Sequence, residues 1–191
     1  MQVTAALQQR AMGLFNLINN PGDVAVLLRW NNDDNLSTVF TSAGYGAAPP
    51  FPGANPFVRM NVPAYTVAAA AAPHGGHAEE YMIQNWDYLI KNHGCWPRIV
   101  DMVITHIPCW STSSAFKDKS GHVWPEGCSR KLYRLMTEKA PGVQEWNYVF
   151  FQGFGNVAAG LAPNTNDNLS SVAKINGHPR AQIFDMTILF P

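Results

Sequence analysis

The chain has 191 residues, no net charge and 47% apolar residues, and only 14% of its side chains are charged. This apolar content is enough for a hydrophobic core and excludes general disorder, while the balanced charge argues against binding of a polyanion through bulk charge. No run approaches the roughly 18 apolar residues of a membrane span, so the sequence predicts no contact with a membrane. The three cysteines, an odd number, disfavour a disulfide framework and favour metal binding, catalysis or a reducing compartment.

Helical and strand periodicities alternate along the chain. A helix and a two-stranded hairpin come first, and a loop rich in Gly, Pro and Ala separates them from three further strands with helices between them. The predicted helices are 4–19, 76–92, 128–139 and 168–175, and the predicted strands are 24–30, 36–41, 100–107, 147–151 and 183–190. This order predicts one α/β domain over residues 1–191, with a core at about 4–151 and the last strand parallel to its neighbour.

Four residues whose side chains could bind a metal or take part in catalysis fall where strands end or helices begin. Open α/β sheets form their sites at such places. His77 and Glu79 lie at the start of the second helix, Cys109 follows the third strand, and Cys128 begins the third helix. One imidazole and two thiolates suit a tetrahedral zinc site that keeps its fourth position for water, as catalytic zinc sites do. The metal set predicted from the sequence is therefore His77, Cys109 and Cys128, and the predicted cofactor is Zn²⁺.

Glu79 is the predicted proton carrier of this site. Residues i and i+2 of a helix point in nearly opposite directions, so His77 and Glu79 serve one site only if they lie in the first turn. Gly75 and Gly76 precede them and are consistent with a helix that begins there. A carboxylate beside a metal can then take a proton from water and pass it to a leaving nitrogen.

The residues His77-Ala78-Glu79, Pro108-Cys109 and Cys128 resemble the signature H-x-E…P-C-x-x-C of the zinc-dependent cytidine deaminase superfamily. The resemblance covers roughly residues 4–151 by element order and is sharp only at the motif. It implies a cytidine deaminase-like three-layer fold, with a five-stranded mixed sheet flanked by helices. One departure is large, because eighteen residues separate the two cysteines where the signature has two.

The resemblance implies hydrolysis of an exocyclic amine, at C4 of cytosine or C6 of adenine, with Glu79 as the catalytic acid and base. It also implies that the backbone of Ala78 and of Ile107 holds the base edge, and Trp110 is a further candidate for lining the pocket. We expect cytosine in single-stranded DNA to be the substrate. The segment between the cysteines is similar to insertions in bacterial deaminase toxins delivered by secretion systems. A toxin would be part of a longer protein, would act in the cytoplasm of a target cell and would have an immunity protein as partner.

Two alternatives remain open at this stage. The first is a deaminase of the same fold that acts on free nucleosides or nucleotides, or on adenine in RNA. The second is a non-catalytic binding module stabilised by zinc, which would need a fourth protein ligand such as Cys95, His106 or His122. Cationic residues around the third helix could follow a phosphate backbone or could form an ordinary solvated face: Lys117, Lys119, Arg130, Lys131, Arg134 and Lys139.

Overall fold

The structure is a computed structural model, and it describes residues 1–17, 23–42, 77–118, 120–151 and 165–191. The helices are α1 (Ala5–Gly13), α2 (Ala78–Gln84), α3 (Trp86–His93), α4 (Cys128–Arg134) and α5 (Thr165–Asn176). The strands are β1 (Ala25–Trp30), β2 (Asp33–Thr41), β3 (Ile99–Ile104), β4 (Phe116–Lys117), β5 (Val123–Trp124), β6 (Glu145–Phe150) and β7 (Ala181–Phe184). The predicted loop over 43–73 lies outside the described residues.

Five strands form one mixed sheet in the order β2-β1-β3-β6-β7. β1 pairs antiparallel with both β2 and β3, whereas β3, β6 and β7 run parallel to one another. The predicted α/β class, with a five-stranded mixed sheet flanked by helices, is confirmed, and so is the parallel direction of the last strand. The carboxyl ends of β3, β6 and β7 therefore meet at one edge of the sheet, and Cys109 follows β3 at that edge.

The side chains of the central strands alternate between two apolar clusters. Along β1, Val26 and Leu28 belong to a larger cluster that packs under α2, α3, α4 and α5, while Ala25 and Leu27 belong to a smaller cluster under α1 and the C-terminal segment. This alternation has the period of two that a strand imposes on its side chains. The larger cluster lies directly beneath the helices that carry the candidate site.

Several element boundaries differ from the prediction. The strand expected at 183–190 is β7, Ala181–Phe184, and it is followed by a short 3-10 helix over Met186–Ile188 that Asp185 caps. The helix expected at 76–92 is two helices, because Asn85 at φ −95° and ψ 4° ends α2 and its side-chain amide donates to the carbonyl of Tyr81. The helix expected at 128–139 changes after Arg134 into a π-helical turn over Leu135–Lys139.

The predicted polar loop over 110–127 contains a small hairpin. Phe116 pairs with Trp124 and Lys117 pairs with Val123. Asp118 closes the tip, because its carboxylate accepts hydrogen bonds from the backbone N–H of His122 and from the indole of Trp124. No helix in the part of the chain that the structure describes is long and apolar enough to cross a membrane.

Candidate metal centre

The start of α2 places His77 and Glu79 on the same site. His77 is the residue that precedes the helix, with extended backbone at φ −75° and ψ 134°, and Glu79 lies in the first turn. At this position the backbone has not yet entered the helical repeat, so the usual opposition of residues i and i+2 does not apply. The sequence requirement that both residues lie at the very start of the helix is met.

Cys109 and Cys128 approach His77 from the other two segments. Candidate ligand atoms of His77, Cys109 and Cys128 all lie within 4.8 Å of one another, and both cysteines are buried. The Sγ of Cys109 is 3.7 Å from Nδ1 of His77, and the backbone N–H of Cys128 donates to that same Sγ over 3.3 Å. A tetrahedral zinc ion with two sulfur ligands and one nitrogen ligand would hold its donors about 3.5–3.8 Å apart. The three side chains therefore fit zinc by their chemistry, and the distance between His77 and Cys109 also falls in this range.

The other residues considered as a fourth ligand lie elsewhere. His106 is buried next to Thr105, whose hydroxyl is 3.2 Å from its Nδ1. His122 packs on Trp124 and faces Glu138, and Cys95 packs against the larger apolar cluster. Among the described residues, the only His, Cys, Asp and Glu side chains grouped for metal binding are the predicted three.

Glu79 is buried and one of its oxygens is unsatisfied. The side chain is 1% exposed, and Oε2 has no hydrogen-bond partner in the described structure. Burial raises the pKa of this carboxyl to about 7, although nearby His77 opposes the shift. A buried acceptor without a partner costs folding free energy. This atom is therefore the second sign, besides the donor set, that a cation or a substrate completes the site.

The surroundings shift the pKa values of the three ligands in different directions. A hydrogen bond from Cys128 lowers the pKa of Cys109 to about 3, against the opposing effect of burial, and His77 adds to the lowering. Burial works against a charged imidazole, but Cys109 and Glu79 together raise the pKa of His77 to about 8. Burial raises the pKa of Cys128 well above its ordinary value. These shifts favour the thiolate form of Cys109 and the imidazolium form of His77, and they favour the neutral thiol form of Cys128.

Of the three predicted substrate contacts, Ala78 follows His77 and Trp110 follows Cys109 in the chain. Ala78 is fully buried at the start of α2, and Trp110 is half-buried with the guanidinium of Arg130 stacked 4.1 Å from its ring. Ile107 lines a groove of about 480 Å³ at the carboxyl ends of β6 and β7 together with Phe150, Phe151, Ile183, Phe184, Asp185, Met186 and Thr187. This groove could not be predicted from the sequence, since its residues come from separate segments of the chain.

Three of the six cations around α4 are neutralised by acidic partners. Lys131 pairs with Glu80 over 2.7 Å, Arg134 with Glu138 over 2.7 Å and Lys139 with Asp87 over 2.5 Å. Both readings of these cations place Lys131 at the surface, but it is fully buried and its partner is Glu80. The surface that could follow a phosphate backbone is therefore smaller than the sequence suggested.

Comparisons with known proteins do not assign the chain to a family. No protein-family model matches the chain, and no curated protein matches it. Among solved structures, the Rib2 deaminase of Aspergillus oryzae, crystallised in complex with DARIPP, is similar at 15% identity over 95% of this chain and 83% of that one, with a TM-score of 0.37. At that identity and superposition, the assignment of function depends on the geometry of the site itself.

Proposed function

We propose that this chain is a zinc-dependent hydrolase that removes an exocyclic amine from a nucleobase. The observation that carries the proposal is the unpartnered, buried carboxylate oxygen of Glu79 beside the cluster of His77, Cys109 and Cys128. Three protein ligands leave one position open on a tetrahedral ion, and the described residues supply no fourth ligand. This favours a catalytic centre over the alternative of a non-catalytic module with structural zinc.

His77, Cys109 and Cys128 would hold the ion, and bound zinc would supply hydroxide at neutral pH by lowering the pKa of a coordinated water to about 7. Glu79 performs the proton transfers. Because its pKa is about 7, the carboxyl both accepts and releases a proton near neutral pH. It takes one proton from the attacking water and delivers it to the ring nitrogen of the base, and it later transfers the second proton of that water to the departing amine. Burial of the carboxyl keeps bulk water from competing for that proton.

Cytosine in single-stranded DNA is the substrate that we propose to test first. Support for it comes from the motif His77-Ala78-Glu79 with Pro108-Cys109, and from the aromatic ring of Trp110 beside the centre, on which a base could stack. A toxin that acts in another cell's cytoplasm and is held inactive by an immunity protein belongs to the same proposal. The paired cations of α4 favour the second candidate, which is a deaminase of free nucleotides, because they reduce the surface available to a polymer.

The test compares substrates and one variant. The zinc-loaded protein is incubated with cytidine, deoxycytidine monophosphate, adenosine and a single-stranded oligonucleotide with one cytosine, and mass spectrometry follows exchange of the amine for oxygen. We expect the oligonucleotide to react and the Glu79→Gln protein to be inactive while it retains zinc. Reaction of the monomers alone would favour the second candidate, and turnover by Glu79→Gln equal to that of the unaltered protein would contradict the proposed role of the carboxylate.

A further inference from the structure

The two cysteines are distant in sequence, but the backbone around Cys128 lies next to the backbone of Cys109 and Trp110. A Cβ on Gly127 would collide with the carbonyl oxygen of Trp110 and would lie 2.5 Å from its carbonyl carbon. The backbone N–H of Ser129 donates to the carbonyl of Cys109 over 3.1 Å. Cys109-Trp110 and Gly127-Cys128 therefore lie side by side as two halves of a C-x-x-C segment. Residues 111–126 are inserted in the middle of this segment, and we call them the excursion.

Three buried polar side chains form contacts between the start of the excursion, the helix that follows it and α2. The Nζ of Lys131 is 2.7 Å from Oε1 of Glu80, and the hydroxyl of Ser113 donates to the same oxygen over 2.8 Å. Lys131 also donates to the hydroxyl of Ser113 and to the carbonyl of Ser114. The exposed fraction is 2% for Glu80 and zero for Ser113 and Lys131. We call Glu80, Ser113 and Lys131 the closure cluster.

Each member of the closure cluster belongs to a different ligand-bearing segment. Glu80 lies three residues after His77, Ser113 lies four residues after Cys109, and Lys131 lies three residues after Cys128. The carbonyl of Ser113 also accepts the N–H of Gly127 over 2.8 Å, so the outgoing and returning ends of the excursion are joined beside the cluster. A change in any of these contacts would shift the segments that carry the ligands relative to one another.

We propose that Glu80, Ser113 and Lys131 are positioning residues for the metal centre, which hold Cys128 against Cys109 and His77 where the covalent spacing does not. A spacer of eighteen residues in place of two lowers the probability that its ends meet by about 30-fold. Buried ion pairs contribute more to a defined geometry than to stability, since apolar side chains of similar size often stabilise a core equally well. The inference rests on the metal site of the proposed function but not on its reaction.

The test removes both charges at once in the full chain. Glu80→Gln/Lys131→Met leaves no buried ion without a partner, and Glu138→Gln, which breaks the exposed pair with Arg134 on the same helix, is the matched control. Zinc affinity is measured by competition with a chelator. The absorption spectrum of the protein saturated with Co²⁺ reports the geometry of the ligands independently of affinity.

We expect the double variant to bind zinc more weakly by up to about 30-fold, the limit given by the loop-closure argument, and to show an altered Co²⁺ spectrum. The control should match the unaltered protein in both. If the double variant does not fold, Ser113→Ala, which removes one hydroxyl, should show a smaller loss of the same kind. Unchanged affinity and spectrum in a folded variant overturn the inference. Failure of the unaltered protein to bind zinc would overturn the proposed function as well, so the two failures are distinguishable.

Discussion

Glu79 and Glu80 are neighbours in the chain and both are buried, yet they have opposite surroundings. Glu80 is paired with Lys131 over 2.7 Å, whereas Oε2 of Glu79 has no partner among the described residues. Burial of Glu80 is compensated by a cation and a hydroxyl, whereas Oε2 of Glu79 is left without a hydrogen bond although His77 is near. Such an unbalanced group is typical of a functional site, where stability is given up for chemistry.

The free energy of unfolding of the metal-free protein should reveal this cost. Burial raises the pKa of Glu79 from 4.5 to about 7, so the unfolded chain releases this proton at a lower pH than the folded one. Stability from this group is present below pH 4.5 and is lost as the pH rises towards 7. We expect Glu79→Gln to become more stable than the unaltered protein across that window, by up to about 3 kcal/mol above it. Denaturant titrations of both apoproteins from pH 4 to pH 8 measure the difference, and parallel curves would contradict it.

Metal uptake should release protons in a number that depends on pH. Cys109, with a pKa of about 3, has no proton to lose, whereas His77, with a pKa of about 8, and Cys128, with a pKa raised by burial, must each lose one. At pH 6 we therefore expect release of about two protons for each zinc ion, and about three between pH 7 and pH 8, because a coordinated water with a pKa of about 7 then adds one. Above pH 8 the imidazole has already lost its proton and the number returns to about two. Calorimetry in two buffers with different ionisation enthalpies measures that number. Release of only about one proton at pH 6 would be evidence against the imidazolium of His77.

The close approach of Gly127 to Trp110 should not tolerate a side chain. Gly127 has a φ of +76°, and a Cβ there meets backbone rather than a flexible side chain. Gly121, at φ +87° in the tip of the small hairpin, has only the side chain of Lys117 nearby, at 3.6 Å, and is the matched control. We expect Gly121→Ala to cost about 1–3 kcal/mol of stability with normal zinc content. Gly127→Ala should lose zinc as well, which metal analysis of the purified proteins would show.

Arg130 should matter for substrates that carry a phosphate. Its guanidinium stacks 4.1 Å from the ring of Trp110, and the described residues give it no acidic partner, whereas Arg134 is paired with Glu138. We expect Arg130→Ala to raise KM for deoxycytidine monophosphate or an oligonucleotide roughly fivefold to tenfold, the effect of about 1 kcal/mol, and to leave deoxycytidine unaffected. Arg134→Ala is the control. An equal rise for nucleoside and nucleotide would assign Arg130 a packing role instead.

The sequence identified the residues of the centre because their chemistry is visible in residue type and in position relative to strand and helix ends. The same reasoning placed Lys131 on the wrong face, since a lysine in an amphipathic pattern is assigned to solvent unless a buried partner is known. That partner, Glu80, lies 51 positions away in the chain. Periodicity contains no information about such a pair.

Short or interrupted elements were missed for a related reason. β4 and β5 have two residues each, too few for an alternating pattern to be recognised. The break at Asn85 leaves the apolar spacing from Met82 to Trp86 and Leu89 intact, so the pattern predicts one continuous helix. Both features depend on hydrogen bonds of single side chains, those of Asp118 and Asn85.

The excursion between the cysteines should be removable. Because a Cβ on Gly127 would lie 2.5 Å from the carbonyl carbon of Trp110, the two residues are close enough to be joined in a chain that lacks residues 111–126. The product contains Cys109-Trp110-Gly127-Cys128 as a continuous C-x-x-C segment. We expect this protein to bind zinc in a one-to-one ratio, with the Co²⁺ spectrum of the full chain, because the ligands keep their places.

In the shortened protein only two residues separate the cysteines, so the covalent chain itself would hold Cys128 near Cys109. In the full chain we assign this role to the closure cluster. Glu80→Gln/Lys131→Met should therefore weaken zinc binding much less there than in the full chain, where a loss of up to about 30-fold is expected. Chelator competition on the four proteins gives the coupling between the two changes. Equal losses in both backgrounds would mean that the buried pair stabilises the helices and does not position Cys128. A shortened chain that folds but binds no zinc would show that the two halves of the segment are held apart by more than the excursion.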